Sequence, residues 1–105
     1  MDSRTRERLK LRAGILKAMA HPTRLFLAEQ LAEGPQCVCK LTEMVGADIS
    51  TVSRHLAQLR EAGIVADEKR SQQVFYRLRT PCVLKFFGCV EAVIKESATA
   101  GAATG

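Results

Sequence analysis

The sequence predicts a mainly α-helical domain carrying one small β-hairpin, with a second copy of the chain as its partner. Three observations predict it. Apolar residues recur at helical spacing in segment after segment from residue 3 onward, and Pro22, Gly34-Pro35, Gly46 and Gly63 punctuate those segments. One pair of short β-prone runs, 64–69 and 74–78, stands before the last apolar segment. At 105 residues the chain fits one domain, and so small a core gains from burial against a copy of itself.

Residues 3–20 place Leu9, Leu11, Ile15, Leu16 and Met19 among charges, which predicts a first amphipathic helix that ends at His21-Pro22. Thr23 is the expected cap of a second helix through Leu25, Phe26, Leu27 and Leu31, closed by Gly34-Pro35. A short third helix follows over 39–45, stopped by Gly46. Asp48 can cap a fourth, which runs to Ala62 and is closed by Gly63. Its wheel puts Ile49, Val52, Leu56 and Leu59 on a packing face and Ser50, Thr51, Arg54 and Gln58 on the other. The β-prone runs read as strands joined by Arg70, Ser71, Gln72 and Gln73, a hairpin with a polar, basic tip. Thr80-Pro81 predicts the start of a last helix over 80–96, with Val83, Phe86, Phe87, Val90, Val93 and Ile94 at helical spacing. The end of the chain, SATAGAATG, has no patterning, so residues 1–96 are expected to form the working domain and 97–105 a disordered tail.

Charge narrows the function classes. A formal net charge of +5 favours polyanionic partners, nucleic acid first among them. The opening MDSRTRERLK is charged throughout and unlike a secretory signal. The longest apolar stretch, 82–94, is broken by Lys85 and Glu91 and is too short for a bilayer. A cytoplasmic protein without a membrane segment is expected. In that reducing compartment the four cysteines are expected as free thiols, metal ligands or redox sensors rather than disulfides.

A short helix, a tight turn, a helix with a polar face and then a hairpin form the order of a winged helix-turn-helix, whose second helix enters the DNA major groove. Ser50, Thr51, Ser53, Arg54, His55 and Gln58 offer hydroxyl, guanidinium, imidazole and amide groups to base edges and phosphates, with Arg54 and Gln58 the foremost candidates for bases. Lys69, Arg70, Gln72 and Arg77 on the wing would clamp the neighbouring phosphates. His55 lies at the edge of the apolar face, where packing competes with DNA contact. A solvated surface is the plain alternative for the rest of the polar face.

The stretches AMAHPTRLFLAEQL, CVC, STVSRHLAQLREAGIV and VFYRL resemble the ArsR/SmtB family of metal-sensing winged-helix repressors, over about residues 13–80. The resemblance implies a homodimer formed by the first and last helices, an inverted-repeat operator of double-stranded DNA, and dissociation when an inducer binds. In this family the matching CVC belongs to a site for As(III) or Sb(III), or for Cd(II), Pb(II) or Zn(II) in related sensors. HPTR is shared scaffolding, so His21 is expected to shape a turn rather than ligate. Two departures stand out. The wing tip reads KRSQQ where the family commonly has glycine, and the last helix lacks the histidines of the family's zinc and nickel sites there.

Cys37 and Cys39 form a C-x-C pair at an expected helix start, where exposed N–H groups and the helix dipole favour negative charge. Soft thiolates select thiophilic ions, and three-sulfur pyramidal coordination suits As(III). The cysteine that often follows this motif in arsenic sensors is missing from KLTEM. Cys82 and Cys89 are seven residues apart, roughly 10 Å along a helix, so at most one of them completes a site with the pair, and the sequence leaves open which. Each is also a natural core residue of an apolar helix. Two rivals remain: a thiol redox switch on the same fold, and an interaction module that reads no DNA. A cysteine enzyme using His55 as base lacks an oxyanion loop and an orienting carboxylate.

Overall fold

The structure, a computed structural model, describes the backbone of residues 1–104 and the side-chain surroundings of residues 1–98. Five helices and three strands follow one another as α1 (Ser3–Met19), α2 (Pro22–Gln30), β1 (Gln36–Cys37), α3 (Val38–Val45), α4 (Ile49–Glu61), β2 (Val65–Arg70), β3 (Gln73–Leu78) and α5 (Val83–Thr104). The sheet is antiparallel throughout with strand order β1-β3-β2.

The expected helices form, with ends set by local chemistry. Asp2 caps α1, its carboxylate accepting from the Thr5 N–H at 2.7 Å, and that bond holds the Asp2 carboxyl below its usual range. α2 is capped by His21 rather than the expected Thr23: His21 Nδ1 accepts from the Thr23 N–H at 3.0 Å, and Pro22 fills the first turn, where no N–H is needed. Gly46 closes α3 at φ 79°, the left-handed conformation that glycine adopts without strain.

Leu27 and Ala28 of α2, Leu41 of α3, and Val52, Leu56 and Leu59 of α4 meet Val65, Tyr76 and Leu78 of the hairpin in one buried core, joined by Met19, Leu31 and Ile64. The packing face read for α4 is correct except at Ile49, which is 54% exposed. It occupies the first helical position, ahead of the turn that docks on the core.

Three other expectations are corrected. β1 is new: Gln36 pairs with Tyr76 and Cys37 with Phe75, so the segment after Pro35 is a third strand. Two residues are too few for any period to register. The hairpin turn is also tighter than the four-residue loop expected, with Arg70 and Gln73 paired across the ladder and only Ser71-Gln72 between them. A two-residue hairpin asks for positive φ, and Ser71 supplies it at 55° without being glycine. Finally, α5 begins at Val83 after a turn of i to i+3 bonds from Thr80, Pro81 and Cys82, and continues past Glu96. The part of the expected disordered tail before Gly105 is helical, since alanine at positions 98, 100, 102 and 103 is the best helix former. Gly105 lies outside the described residues.

Candidate nucleic-acid interface and thiol cleft

α4 is anchored by its buried face, which turns Ser50, Ser53, Arg54 and Gln58 to solvent and leaves Thr51 half-buried. Asp48 precedes it in an extended conformation, but its carboxylate accepts from Ser50 Oγ at 2.6 Å rather than from the helix backbone. The hydroxyls of Ser50 and Thr51 hold the Asp48 carboxyl below its usual range. Ser50 is therefore engaged at the helix start, whereas Arg54 and Gln58 have no side-chain hydrogen bond or ion pair among the described residues.

His55 is held by the protein. Its Nδ1 accepts from Arg24 Nε at 3.1 Å, and its ring lies 4.4 Å from that of His21. Arg24 also donates to the Ala18 carbonyl at 3.1 Å, so one guanidinium ties α1, α2 and α4 together. Burial lowers the His55 pKa first, and the nearby His21, Arg24 and Arg54 push it the same way. His21 takes the turn-shaping part: its Nδ1 is spent on the helix cap.

On the wing Lys69, Arg70, Gln72 and Arg77 are all exposed. Arg70 is partly committed, 3.2 Å from Glu68 and 4.9 Å from the ring centroid of Phe75, while Lys69 and Arg77 have no ion pair among the described residues. The wing is tied to α4 by Arg60, whose guanidinium donates to Asp67 at 3.1 Å. Beside that pair burial pushes the Tyr76 phenol up, against the opposing pull of Arg60.

The thiols fall into two groups. Cys37, half-buried, and Cys39, exposed, lie at the β1–α3 junction, with Cys37 as the last strand residue and the N-cap of α3. Cys82 and Cys89 are exposed, one in the turn before α5 and the other on that helix. The C-x-C pair borders a cleft of about 310 Å³ whose other walls are Val38, Ile49 and Ser53 with Gln72, Gln73, Val74 and Tyr76. Sequence reasoning missed this meeting of thiols, reading helix and wing because β1, which pins Cys37 beside β3, is what creates it. Among the described residues no three His, Cys, Asp or Glu side chains gather as a metal site within the chain. Neither Cys82 nor Cys89 joins the pair in a single protomer.

A helix-turn-helix of α3 and α4, with a wing alongside, is now in view. Residues 21–67, from the α2 cap into β2, match the bacterial regulatory protein arsR family. The biofilm growth-associated repressor of Xylella fastidiosa is 41% identical over 78 residues, which cover 70% of this chain and 68% of that protein. The chain belongs to the ArsR family. The arsenic resistance transcriptional regulator ArsR1 of Pseudomonas putida is 46% identical over 65 residues, 61% of this chain, and the match spans about half (51%) of that relative's length. The crystal structure of NolR from Sinorhizobium fredii matches with a TM-score of 0.80 at 29% identity, over 89% of this chain and 93% of that one. The ArsR relatives are named as regulators and repressors of transcription, not as enzymes. No helix among the described residues is long and apolar enough to cross a membrane.

Proposed function

We propose that this ArsR-family protein is a dimeric, cytoplasmic transcriptional repressor that leaves an inverted-repeat DNA operator when a thiophilic metalloid, As(III) or Sb(III), binds Cys37 and Cys39. The observation that carries the reading is the shared cleft: the thiol pair lies against the first turn of the reading helix and the wing turn. An ion bound there bears directly on the two elements that hold DNA, and β1 couples it to β3 through the Cys37–Phe75 pairing. The donor set fits the group, since two soft sulfurs two residues apart across the strand–helix junction suit a thiophilic ion and not magnesium or calcium. The kinship to an arsenic resistance regulator agrees with this.

Arg54 and Gln58 would read bases from the exposed face of α4, Ser50, Thr51 and Ser53 would meet phosphates or base edges, and Lys69, Arg70, Gln72 and Arg77 would hold the backbone. His55 would support the helix through Arg24 rather than touch DNA. Dimerisation is supported by apolar side chains left open on the outer helices: Leu11 at 64% exposure on α1, with Phe86, Val90, Val93 and Ile94 on α5. A third sulfur for inorganic As(III) would have to come from Cys82 or Cys89 of the partner or after a rearrangement, because none meets the pair within one chain.

The test is fluorescence anisotropy of a labelled inverted-repeat operator bound to reduced protein, titrated with As(III), Sb(III), Cd(II), Pb(II) and Zn(II), and separately with a mild oxidant. Release by As(III) or Sb(III) at the lowest concentrations is expected. Release by oxidant alone would make the thiols a redox switch instead.

A further inference from the structure

We infer that Arg24 is a DNA-binding residue: with Thr51, Arg54 and Gln58 it forms a seat for one backbone phosphate, on the flank of the reading helix away from the wing. The inference rests on the reading of α4 as the DNA-binding helix and is independent of what the thiols bind.

Placement is the first reason. A recess of about 170 Å³ opens between α2 and α4, walled by Arg24, Thr51, Arg54, His55 and Gln58. A water molecule takes about 30 Å³ of the liquid, so the recess has room for a group of several heavy atoms. On the other flank of α4, Ile49 and Ser53 border the wing turn. The helical repeat separates these two flanks and leaves Ser50 between them. A helix in the major groove lies between two phosphate backbones. The wing residues account for one backbone, and Arg24 stands where the other passes.

Chemistry is the second reason. Arg24 Nε donates to His55 Nδ1 at 3.1 Å and its Nη1 donates to the Ala18 carbonyl at 3.1 Å, which fixes the plane of the guanidinium. Its Nη2 has no acceptor among the described residues. A fork held in advance loses little freedom when it meets paired phosphate oxygens. Neither Arg24 nor Arg54 has an ion pair among the described residues, and no acidic side chain walls the recess. Asp48, which feels Arg54, is engaged by the hydroxyls of Ser50 and Thr51 at the helix start. The surplus charge registers on His55, whose pKa is lowered first by burial and then by His21, Arg24 and Arg54 together. A phosphate supplies the missing counter-charge. His55 is a positioning residue in this arrangement, its ring holding Arg24.

The test pairs protein variants with operators in which one phosphate of each half-site is replaced by an uncharged methylphosphonate, moved along the backbone position by position. Full-length reduced protein is used, with fluorescence anisotropy as the readout. The unsubstituted protein is expected to lose about tenfold or more at one position on the backbone away from the wing. Arg24→Gln should bind the unmodified operator and random-sequence DNA more weakly by the same factor, about tenfold, and lose nothing further at that position. A residue that only braced the helices would weaken binding without erasing the penalty at one phosphate. A methylphosphonate profile for Arg24→Gln that parallels the unsubstituted protein at every position would overturn the inference and leave the repressor reading intact. If circular dichroism shows Arg24→Gln unfolded, Arg24→Lys carries the comparison: it keeps the charge without the fork, and its penalty at that position should be smaller. An undiminished penalty would overturn the inference as well. Inorganic phosphate is also titrated into the DNA-free protein and followed by the ring protons of its two histidines. Binding no tighter than millimolar is expected. Micromolar saturation that leaves operator affinity unchanged would make the recess a site for a free oxyanion and overturn its assignment to DNA. Failure of the unsubstituted protein to bind any DNA would remove the repressor reading itself.

Discussion

The middle of the chain and its two outer helices solve the burial problem in opposite ways. From α2 to β3 most large apolar residues close on one another, Phe26 and Ile49 excepted: Leu27, Leu41, Val52, Leu56 and Leu59 are all 0% exposed. On α1 before Met19 and on α5 many stay open, with Leu11 at 64%, Val93 at 63% and Ile94 at 55% exposure. The contrast teaches that the DNA-binding head buries most of its own apolar surface and that the open faces of the flanks are written for a second copy. The thiols divide along the same line, Cys37 and Cys39 in the head and Cys82 and Cys89 at the flank. In this account the head senses and reads, and the flanks pair.

The largest effect should come from the head's core. Leu56→Ala removes a fully buried side chain and should cost about 2–5 kcal/mol in urea unfolding. Val93→Ala, on the open face of α5, should cost far less when measured under conditions that keep the chain monomeric. The next largest effect reverses the roles. Val93→Glu should leave the circular dichroism of the head in place yet shift sedimentation velocity from dimer to monomer. Operator affinity should fall about a hundredfold as the link between half-sites is lost. A Val93→Glu protein that stays dimeric would break the division between head and flank.

Within the head, Arg54→Ala should cost about 1–3 kcal/mol of operator affinity and relax preference at one base position, seen by anisotropy on operator variants. Lys69→Ala should weaken all sequences alike and lower the slope of log affinity against log salt by about one. The smallest effect concerns His55. Its pKa is lowered in the folded protein, so the fold resists a proton that the unfolded chain accepts. The associated stability is present above the ordinary histidine value of 6.5 and is lost as pH falls below it. The midpoint of thermal unfolding should therefore fall as the pH drops below about 6.5. His55→Asn keeps an acceptor for Arg24 without titrating and should flatten that decline.

Long elements were legible because their signals repeat. The buried face of α4 declared itself through Val52, Leu56 and Leu59, and the hairpin through its alternating run into Tyr76 and Leu78. Motif residues also carried the family, with CVC and the α4 stretch pointing to a winged helix-turn-helix. The cleft was not legible. It depends on β1, where backbone pairing of Gln36 and Cys37 to β3 follows from tertiary placement and leaves no pattern in two residues. Ile49 was misplaced for a related reason, since a helical wheel assigns a face but not the point at which the helix leaves the core. The end of α5 was misjudged because alanine and small polar residues read alike as linker or helix until a preceding helix extends into them.

The most direct test of the central claim compares two double variants in the same operator-release titration with arsenite or phenylarsine oxide. Cys37→Ser/Cys39→Ser should bind the operator normally and remain bound at every arsenical concentration, while Cys82→Ser/Cys89→Ser should still be released. Release that persists without Cys37 and Cys39 but disappears without Cys82 and Cys89 would move the sensor from the head to the flank and contradict the account.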